Sequence, residues 1–248
     1  MRYVSFLVRS SSLGPNTLDG KIALVTGASR GIGAAIAATL VGQGCEVIAS
    51  ARTLASLAAS RRELPGVIAH ACDVRDRSSV AALFAAVRDQ FGRLDILINN
   101  AGIAHPLAHV DQLDPQLWYE VIATNLTGMF LVTQAALPLM PAGSTIVNNL
   151  SVAARGVFAG ESAYCASKHG ALGFTNTLRE ELRPKRIRVI ALMPGPTSTD
   201  IWNQFWPEAP REKMMSPETV AQAVLNALLL PSNSTVEEIV LSPTAGTL

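Results

Sequence analysis

A serine, a tyrosine and a lysine in the second half of the chain have the spacing of a proton-transfer site. Tyr164 and Lys168 are four residues apart, so a helix places both side chains on one face. Free tyrosine has a pKa near ~10 and is a poor base at neutral pH, but a neighbouring ammonium favours the phenolate. Ser151 can hydrogen-bond a carbonyl oxygen while Tyr164 gives or takes its proton. These residues therefore predict chemistry at a carbonyl or alcohol group.

A glycine-rich turn near the start of the chain predicts a dinucleotide site. It follows the apolar run KIALVT and precedes the helical run AAIAATLVGQG. Glycines let the backbone turn tightly beside a pyrophosphate, while the helix N-terminus supplies amides and the positive end of its dipole. This place between a strand and a helix makes the glycines a stronger signal than they are alone. The predicted cofactor contacts in the turn are Gly27, Ser29, Arg30, Gly31, Ile32 and Gly33.

The end of the second predicted strand indicates which nicotinamide cofactor binds. Enzymes that use NAD usually carry an acidic residue there, which binds the ribose 2′-hydroxyl. This chain instead reads Ser50-Ala51-Arg52-Thr53. The guanidinium groups of Arg52 and Arg30 offer charge and forked donors to a 2′-phosphate. The sequence therefore predicts that NADP(H) is preferred over NAD(H).

Apolar runs and amphipathic segments alternate from residue 21 almost to the end of the chain. The alternation predicts right-handed βαβ units and an α/β fold, a doubly wound Rossmann-type parallel sheet of about seven strands flanked by helices in a single domain. Among the helices, Asp76 is expected to cap the start of a helix that ends at Phe91, and Asp114-Pro115 opens another. The predicted strands are Lys21–Thr26, Glu46–Ser50, Val67–Ala71, Leu94–Ile98, Ser144–Leu150, Ile187–Leu192 and Glu238–Leu241.

The chain is expected to contain one domain with a short extension before it. Residues 1–18 are predicted to be flexible, and residues 19–248 to form the NADP-binding domain. Prolines cluster between Pro194 and Pro217, which predicts a long substrate loop at about residues 195–216. Trp202, Phe205 and Trp206 in this loop fit either a lid over the substrate or an oligomer contact.

The glycine spacing G-x-x-x-G-x-G, together with Ser151 and the Tyr164-x-x-x-Lys168 pair, resembles the short-chain dehydrogenase/reductase family. The resemblance extends from about Lys21 to Leu241 and is closest in style to the 3-oxoacyl-thioester reductases. It implies that Asn125 completes an Asn-Ser-Tyr-Lys tetrad by holding a water against the lysine, and that Lys168 and Tyr164 also contact the nicotinamide half of the cofactor. Further cofactor contacts implied by the resemblance are Asp73, Val74, Asn100, Ala101, Gly102, Pro194, Gly195, Thr197 and Thr199.

The predicted activity is hydride transfer between NADP(H) and a carbonyl or secondary alcohol. A 3-oxoacyl thioester is the leading substrate, and sugar, diketone, aromatic ketone and steroid substrates fit the same scaffold. A dinucleotide-binding regulator or scaffold without turnover is the alternative. Such proteins usually lose the tyrosine or the lysine, and this chain retains both.

Composition predicts a cytoplasmic enzyme with small-molecule partners. The net charge of the 248 residues is +1 and there is no basic run, which argues against nucleic acid. The three cysteines are scattered and the four histidines lack ligand spacing, so no metal is expected and the thiols should be reduced. The apolar stretch from Met129 to Met140 is too short to cross a membrane.

The family resemblance also implies a homo-oligomer, a tetramer or a dimer. The helix after Asn125 and the helix that carries Tyr164 would pack against their counterparts in other subunits. Ala163, Ala166 and Ala171 permit close approach of helices, and the same alanines also suit packing inside one subunit.

Overall fold

The structure is a computed structural model and describes residues 18–61 and 66–246. The extension predicted for residues 1–18 lies outside the described residues except for Leu18. The side chain of Leu18 is buried and packs against the hydrophobic core beside the first strand.

Seven parallel strands form one sheet with the order β3-β2-β1-β4-β5-β6-β7, so the predicted α/β fold with a doubly wound sheet is confirmed. The strand order reverses between β1 and β4, and ligands of open α/β sheets bind outside the carboxyl ends of the strands at such a point. The strands are β1 Ile22–Thr26, β2 Glu46–Ala51, β3 Val67–Ala71, β4 Ile96–Asn99, β5 Thr145–Asn149, β6 Arg188–Pro194 and β7 Glu238–Leu241.

Helices cover both faces of the sheet. The α-helices are α1 Gly31–Gly42, α2 Leu54–Arg61, α3 Arg77–Phe91, α4 Pro115–Ile122, α5 Gly128–Ala136, α6 Ser162–Leu182, α7 Trp202–Phe205 and α8 Pro217–Leu228. A π-helical turn, Ala123–Thr127, joins α4 to α5, and 3₁₀ turns occupy Leu137–Leu139, Val152–Ala154, Arg183–Lys185 and Arg211–Lys213. One core lies between the sheet and the pair α1 and α8, and a second lies between the sheet and α3, α5 and α6.

Local sequence explains where several elements begin and end. Asp76 accepts a hydrogen bond from the Ser78 amide at the start of α3, and Gly92 ends that helix with a φ of 68°. Asp114 caps α4 in the same way, and Pro115 occupies its first turn. Both predicted helix starts are confirmed.

The fourth strand starts two residues later than predicted, at Ile96 rather than Leu94. The intervening Asp95 is buried, and its carboxylate accepts a 2.9 Å hydrogen bond from the Ile22 amide. It also forms ion pairs with Lys21 and Arg93. Asp95 therefore joins the entries of β1 and β4 through its side chain, which a pattern of apolar residues does not reveal.

A buried polar network fixes helices α5 and α6 against the middle of the sheet. Asn99 on β4 donates 2.9 Å hydrogen bonds to Thr133 on α5 and to Asn148 on β5. Asn148 donates in turn to Thr175 on α6. Buried polar groups that are paired in this way favour one arrangement of the elements over others. The network thus sets the position of α6, which carries the predicted catalytic pair.

One run of consecutive helical turns, Pro115–Leu139, has the length and apolar composition of a membrane span. The run comprises α4, the π-helical turn, α5 and a 3₁₀ turn, and it packs against α3 and α6 in the fold. Length and composition alone are weak evidence for a span, because core helices of globular proteins share them.

Two glycines of α1 give a matched test of the turn that precedes it. A Cβ atom on Gly33 would lie 2.3 Å from Asn100 Nδ2 and 2.5 Å from the Gly27 carbonyl oxygen, whereas one on Gly42 would meet nothing within 4 Å. Gly33→Ala should lower the free energy of unfolding by about 1–3 kcal/mol because the overlap forces backbone to move. Urea unfolding followed by far-ultraviolet circular dichroism measures the change.

Gly42→Ala is the control for this substitution. It should leave the free energy of unfolding unchanged or raise it by up to about 1 kcal/mol, since alanine is the better helix former. Equal stability of the two variants would show that Gly33 is not needed for the close approach of turn and sheet.

Candidate active site

A cleft of about 1100 Å³ opens at the carboxyl ends of the strands, where the strand order reverses. The predicted cofactor residues line this cleft with one exception, Gly33, which lies beneath the turn. Those in the wall are Gly27, Ser29, Arg30, Gly31, Ile32, Arg52, Asp73, Val74, Asn100, Ala101, Gly102, Tyr164, Lys168, Pro194, Gly195, Thr197 and Thr199. The fold therefore gathers residues from the loops after five strands and from helix α6 around one cavity.

The glycine-rich turn leaves room only for backbone between the sheet and the substrate loop. Gly27 has a φ of 64°, and a Cβ atom there would lie 2.8 Å from Ala101 Cα. Gly31 has a φ of 57°, and its Cβ would lie 3.0 Å from a methyl group of Thr199. No side chain caps α1 at its N-cap residue Arg30. A phosphate can approach this uncapped helix end closely, which fits the pyrophosphate of a dinucleotide.

Two cations border the same end of the cleft. Arg30 is more than half exposed and lies 3.6 Å from the carboxylate of Asp200 in the substrate loop. Arg52 is exposed just past the end of β2, and both guanidinium groups line the cleft. Asp73 at the end of β3 holds Arg75 in a 2.7 Å ion pair, and these hydrogen bonds lower the pKa of the Asp73 carboxyl. The charge of Asp73 is therefore already balanced within the protein.

Ser151, Tyr164 and Lys168 come together at the inner end of the cleft. Lys168 Nζ lies 5.4 Å from the centre of the Tyr164 ring and donates a 3.1 Å hydrogen bond to the Asn149 carbonyl oxygen. The Ser151 side chain hydrogen-bonds to the Tyr164 side chain and accepts a 3.1 Å bond from the Ala153 amide. The spacing in α6 and the end of β5 thus place all three groups within reach of one substrate oxygen.

Burial shifts both ionisable groups toward their neutral forms. It raises the pKa of Tyr164 to about 12, although the hydrogen bond from Ser151 acts in the opposite direction. It lowers the pKa of Lys168 to about 8. The sequence led us to expect that a neighbouring ammonium and the positive nicotinamide of NADP+ together favour the phenolate. In the protein alone, burial acts against the phenolate and raises the pKa of Tyr164.

Asn125 does not line the cleft. It is fully buried in the π-helical turn, where its amide nitrogen donates to the Ile103 carbonyl and to Ser167 Oγ at 2.9 and 3.0 Å. Its side-chain oxygen accepts the Ile103 amide at 2.9 Å. Ser167 in turn donates to the Tyr164 carbonyl at 2.7 Å. The side chain of Asn125 therefore braces the loop after β4 against α6, and the expected water relay stays a prediction.

The sequence alone did not point to two residues that support the site. Asn149 holds Lys168 through its carbonyl oxygen and donates a 2.8 Å hydrogen bond from its side chain to Asn100. Ser167 links Asn125 to the helix that carries Tyr164. The pair Asn148-Asn149 at the end of β5 could have indicated a structural role for Asn149, because polar side chains in a buried strand are usually hydrogen-bonded.

The substrate loop covers the outer end of the cleft. Trp202 and Trp206 both line the cavity, with their rings 6.3 Å apart, and Trp202 donates a 2.9 Å hydrogen bond to the Thr197 carbonyl. Arg211 donates to the Thr199 carbonyl and so ties the two ends of the loop together. The position of the two tryptophans favours the lid interpretation. The side chain of Phe205 lies outside the described residues.

The chain matches the sequence profile of the short chain dehydrogenase family over residues 21–210. It is 41% identical over 200 residues to a D-threitol dehydrogenase of Mycolicibacterium smegmatis, which covers 78% of this chain and 76% of that protein. It is 37% identical over 225 residues to a 3-oxoacyl-(acyl-carrier-protein) reductase of Thermotoga maritima, covering 84% of this chain and 90% of that one.

Two solved structures of dehydrogenases and reductases superimpose on most of this chain. An alcohol dehydrogenase from Thermococcus sibiricus, complexed with 5-hydroxy-NADP, superimposes with a TM-score of 0.84 at 28% identity, over 93% of this chain and 99% of that one. A 3-ketoacyl-(acyl-carrier-protein) reductase from Brucella melitensis, complexed with NADH, gives a TM-score of 0.83 at 28% identity, over 92% and 99%.

The chain therefore belongs to the short chain dehydrogenase family. It is an NAD(P)-dependent oxidoreductase that acts on alcohol and carbonyl groups, as the sequence predicted.

Proposed function

We propose that the protein is an NADPH-dependent ketone reductase in which Tyr164 is the proton donor. The observation that carries the proposal is the geometry of a buried tyrosine that lies in the dinucleotide cleft, hydrogen-bonded to Ser151 and with Lys168 Nζ 5.4 Å from its ring centre. A general acid must reach the substrate oxygen and have its conjugate base stabilised, and these two neighbours of Tyr164 meet both requirements.

Each residue of the site has one task in this reaction. NADPH supplies the hydride for the carbonyl carbon when it is bound in the cleft. Ser151 donates a hydrogen bond to the carbonyl oxygen, and Tyr164 delivers the proton to that oxygen as the alcohol forms. Lys168, in its protonated form, stabilises the phenolate left behind and binds the ribose next to the nicotinamide. Asn125 acts through Ser167 and Ile103 and is a positioning residue.

The preference for NADP(H) rests on Arg30 and Arg52. Both line the cleft, both are exposed enough to turn toward a ligand, and the last residue of β2 is Ala51 rather than an acid. A 2′-phosphate would gain charge-assisted hydrogen bonds from the two guanidinium groups. A metagenomic short-chain oxidoreductase solved in complex with NADP is 33% identical to this chain, with a TM-score of 0.79, so a related protein holds the phosphorylated cofactor.

The relatives differ in the substrates that their names state. One is named for a polyol, D-threitol, another for a 3-oxoacyl thioester, and a third, from Mediterraneibacter gnavus, for a 3β-hydroxysteroid. The 3-oxoacyl thioester that the sequence suggested is one candidate, with sugars, diketones, aromatic ketones and steroids beside it. We further propose a cytoplasmic homo-oligomer, a tetramer or dimer, without metal, nucleic acid or membrane as partners.

Two of the alanines that the sequence suggested as subunit contacts are buried, which favours a different surface for that oligomer. Ala163 and Ala171 are fully buried within one subunit and serve internal packing. Trp118, Tyr119 and Phe130 on α4 and α5 are exposed and apolar. These aromatic side chains are the ones that association of α4 and α5 with another copy would cover.

Tyr164→Phe tests the proposed reaction, because it removes only the hydroxyl group. We expect kcat/KM for carbonyl-dependent NADPH oxidation to fall by about 10²–10⁴-fold, the usual contribution of a general acid. The substrate panel contains a 3-oxoacyl thioester, a diketone, an aromatic ketone and a keto-sugar. Tyr119→Phe, on the exposed surface of α4, is the matched control and should keep wild-type activity.

Two results would contradict the proposal. Equal activity of the Tyr164→Phe variant would exclude Tyr164 as the proton donor. Tight binding of NADPH without turnover of any carbonyl compound would instead support the dinucleotide-binding regulator.

Arg52→Asp tests the preference for the phosphorylated cofactor. The carboxylate would repel the 2′-phosphate, so the Kd for NADPH should rise by about 10–100-fold while the Kd for NADH stays level or falls. Fluorescence titration of each cofactor measures the change. Arg88→Asp, an exposed arginine on α3 away from the cleft, is the control. A similar loss of affinity for both cofactors would show that Arg52 does not recognise the 2′-phosphate.

A further inference from the structure

A carboxyl group lies close to the catalytic tyrosine at the start of α6. Glu161 immediately precedes α6, about one helical turn before Tyr164, and its residue lines the cleft. Although it is the N-cap residue, its side chain does not cap the helix. Among the residues that the structure describes, none donates a hydrogen bond to the Glu161 carboxylate or forms an ion pair with it.

The backbone around Glu161 is held firmly, so the side chain has a defined place in the cleft. The Glu161 amide donates to the Phe158 carbonyl at 3.2 Å, and its carbonyl accepts the Cys165 amide at 2.8 Å. A parallel bridge pairs Glu161 with Ala108 of the loop after β4, supported by a 3.1 Å bond from the Ala108 amide to the Gly160 carbonyl. Two segments thus meet at Glu161 and fix its backbone.

The surroundings of this carboxyl group are apolar. Leu107, Val157, Phe158 and Ala159 line the cleft on the two segments that meet there, and a Cβ atom on Gly160 would lie 3.5 Å from Leu107. Burial in this setting raises the pKa of the Glu161 carboxyl, and no cation of the protein acts against the shift. A carboxyl group that is half-buried beside apolar side chains loses part of its hydration, and a ligand hydroxyl can supply the hydrogen bond that the described residues do not.

We propose that Glu161 binds a hydroxyl group of the substrate, and that the substrate is a hydroxy ketone. The proposal rests on the proposed function, since it places the reacting carbonyl between Ser151 and Tyr164. A hydroxyl group on the carbon next to the carbonyl, or one carbon further along, lies on the side of Tyr164 where Glu161 is found. Hydroxy ketones of this kind rank above a 3-oxoacyl thioester, which carries no hydroxyl group near its keto carbon.

Other substrate groups suit this position less well. A carboxylate would be repelled by Glu161, which disfavours keto acids. An ammonium would have to leave water for a cavity whose walls are largely apolar, whereas a neutral hydroxyl loses less hydration free energy there. The same apolar walls accept the carbon skeleton of the substrate, and Glu161 then selects where its hydroxyl group lies.

Matched pairs of ketones test the proposal. The hydroxy ketones 1-hydroxybutan-2-one and 4-hydroxybutan-2-one differ from pentan-3-one and pentan-2-one only by a hydroxyl in place of a methyl group. We expect wild-type kcat/KM to favour the hydroxy ketone in at least one pair by about 10–100-fold, the effect of a hydrogen bond to a charged group. Glu161→Leu should abolish the preference and leave kcat/KM for the methyl partner within about threefold of wild type.

Two further variants and one further ketone test whether the Glu161 side chain binds a hydroxyl group. Glu161→Gln, which can still accept a hydrogen bond, should retain part of the preference. Glu218→Leu, an exposed residue at the start of α8 outside the cleft, should behave as wild type. The cationic ketone 4-aminobutan-2-one should be a poorer substrate than 4-hydroxybutan-2-one, and the reverse order would overturn the assignment to a hydroxyl group.

Failure of this proposal is distinguishable from failure of the proposed function. Equal use of both members of each pair by wild type, or an equal loss of both in Glu161→Leu, would overturn the role of Glu161 while ketone reduction stands. Absence of NADPH oxidation with every ketone would count against the reductase. In that case, binding of each pair to the NADPH complex, followed by nicotinamide fluorescence, still decides whether Glu161 favours the hydroxyl group.

Discussion

The burial of Lys168 next to Tyr164 is the constraint on which the rest of this site depends. Lys168 is only 5% exposed and has lost most of its hydration, and its ammonium group donates a hydrogen bond to the Asn149 carbonyl. That bond requires β5 to end beside α6, which the network of Asn99, Asn148 and Thr175 secures. The polar core of the fold therefore has a direct function, because it sets the position of the catalytic pair.

The same constraint explains the protonation states of the site. Neither the phenolate nor the ammonium is well solvated in the cleft, so burial moves the two pKa values apart, raising that of Tyr164 to about 12 and lowering that of Lys168 to about 8. A proton donor that holds its proton until charge develops on the substrate is suited to reduction.

The sequence predicted those parts of the molecule that local patterns specify. Seven strands, the capped starts of α3 and α4 and the convergence of Ser151, Tyr164 and Lys168 follow from periodicity, capping residues and spacing. The sequence did not predict the roles of Asn149, Ser167 or Asp95. These residues act through contacts between elements that are distant in sequence. The sequence shows a polar residue in an apolar run but does not show which residue it hydrogen-bonds.

Two features of the site depend on surroundings that spacing does not contain. Asn125 is buried in the π-helical turn and braces the loop after β4, while its expected water relay to Lys168 stays a prediction. The pKa of Tyr164 is raised rather than lowered, since the balance between burial and a nearby charge follows from the shape of the cavity. Glu161 was missed for a similar reason, because the sequence does not show which glutamate lies in the cleft.

Direct titration of Tyr164 tests this account most sharply. The ultraviolet difference spectrum between wild type and Tyr164→Phe, recorded against pH without cofactor, isolates this phenol from the other tyrosines. If burial controls the site, no Tyr164 phenolate forms until the pH approaches the pKa of about 12. A phenolate that appears between about pH 7 and 9, below the ordinary value for tyrosine, would contradict the account and show that the charge of Lys168 outweighs burial.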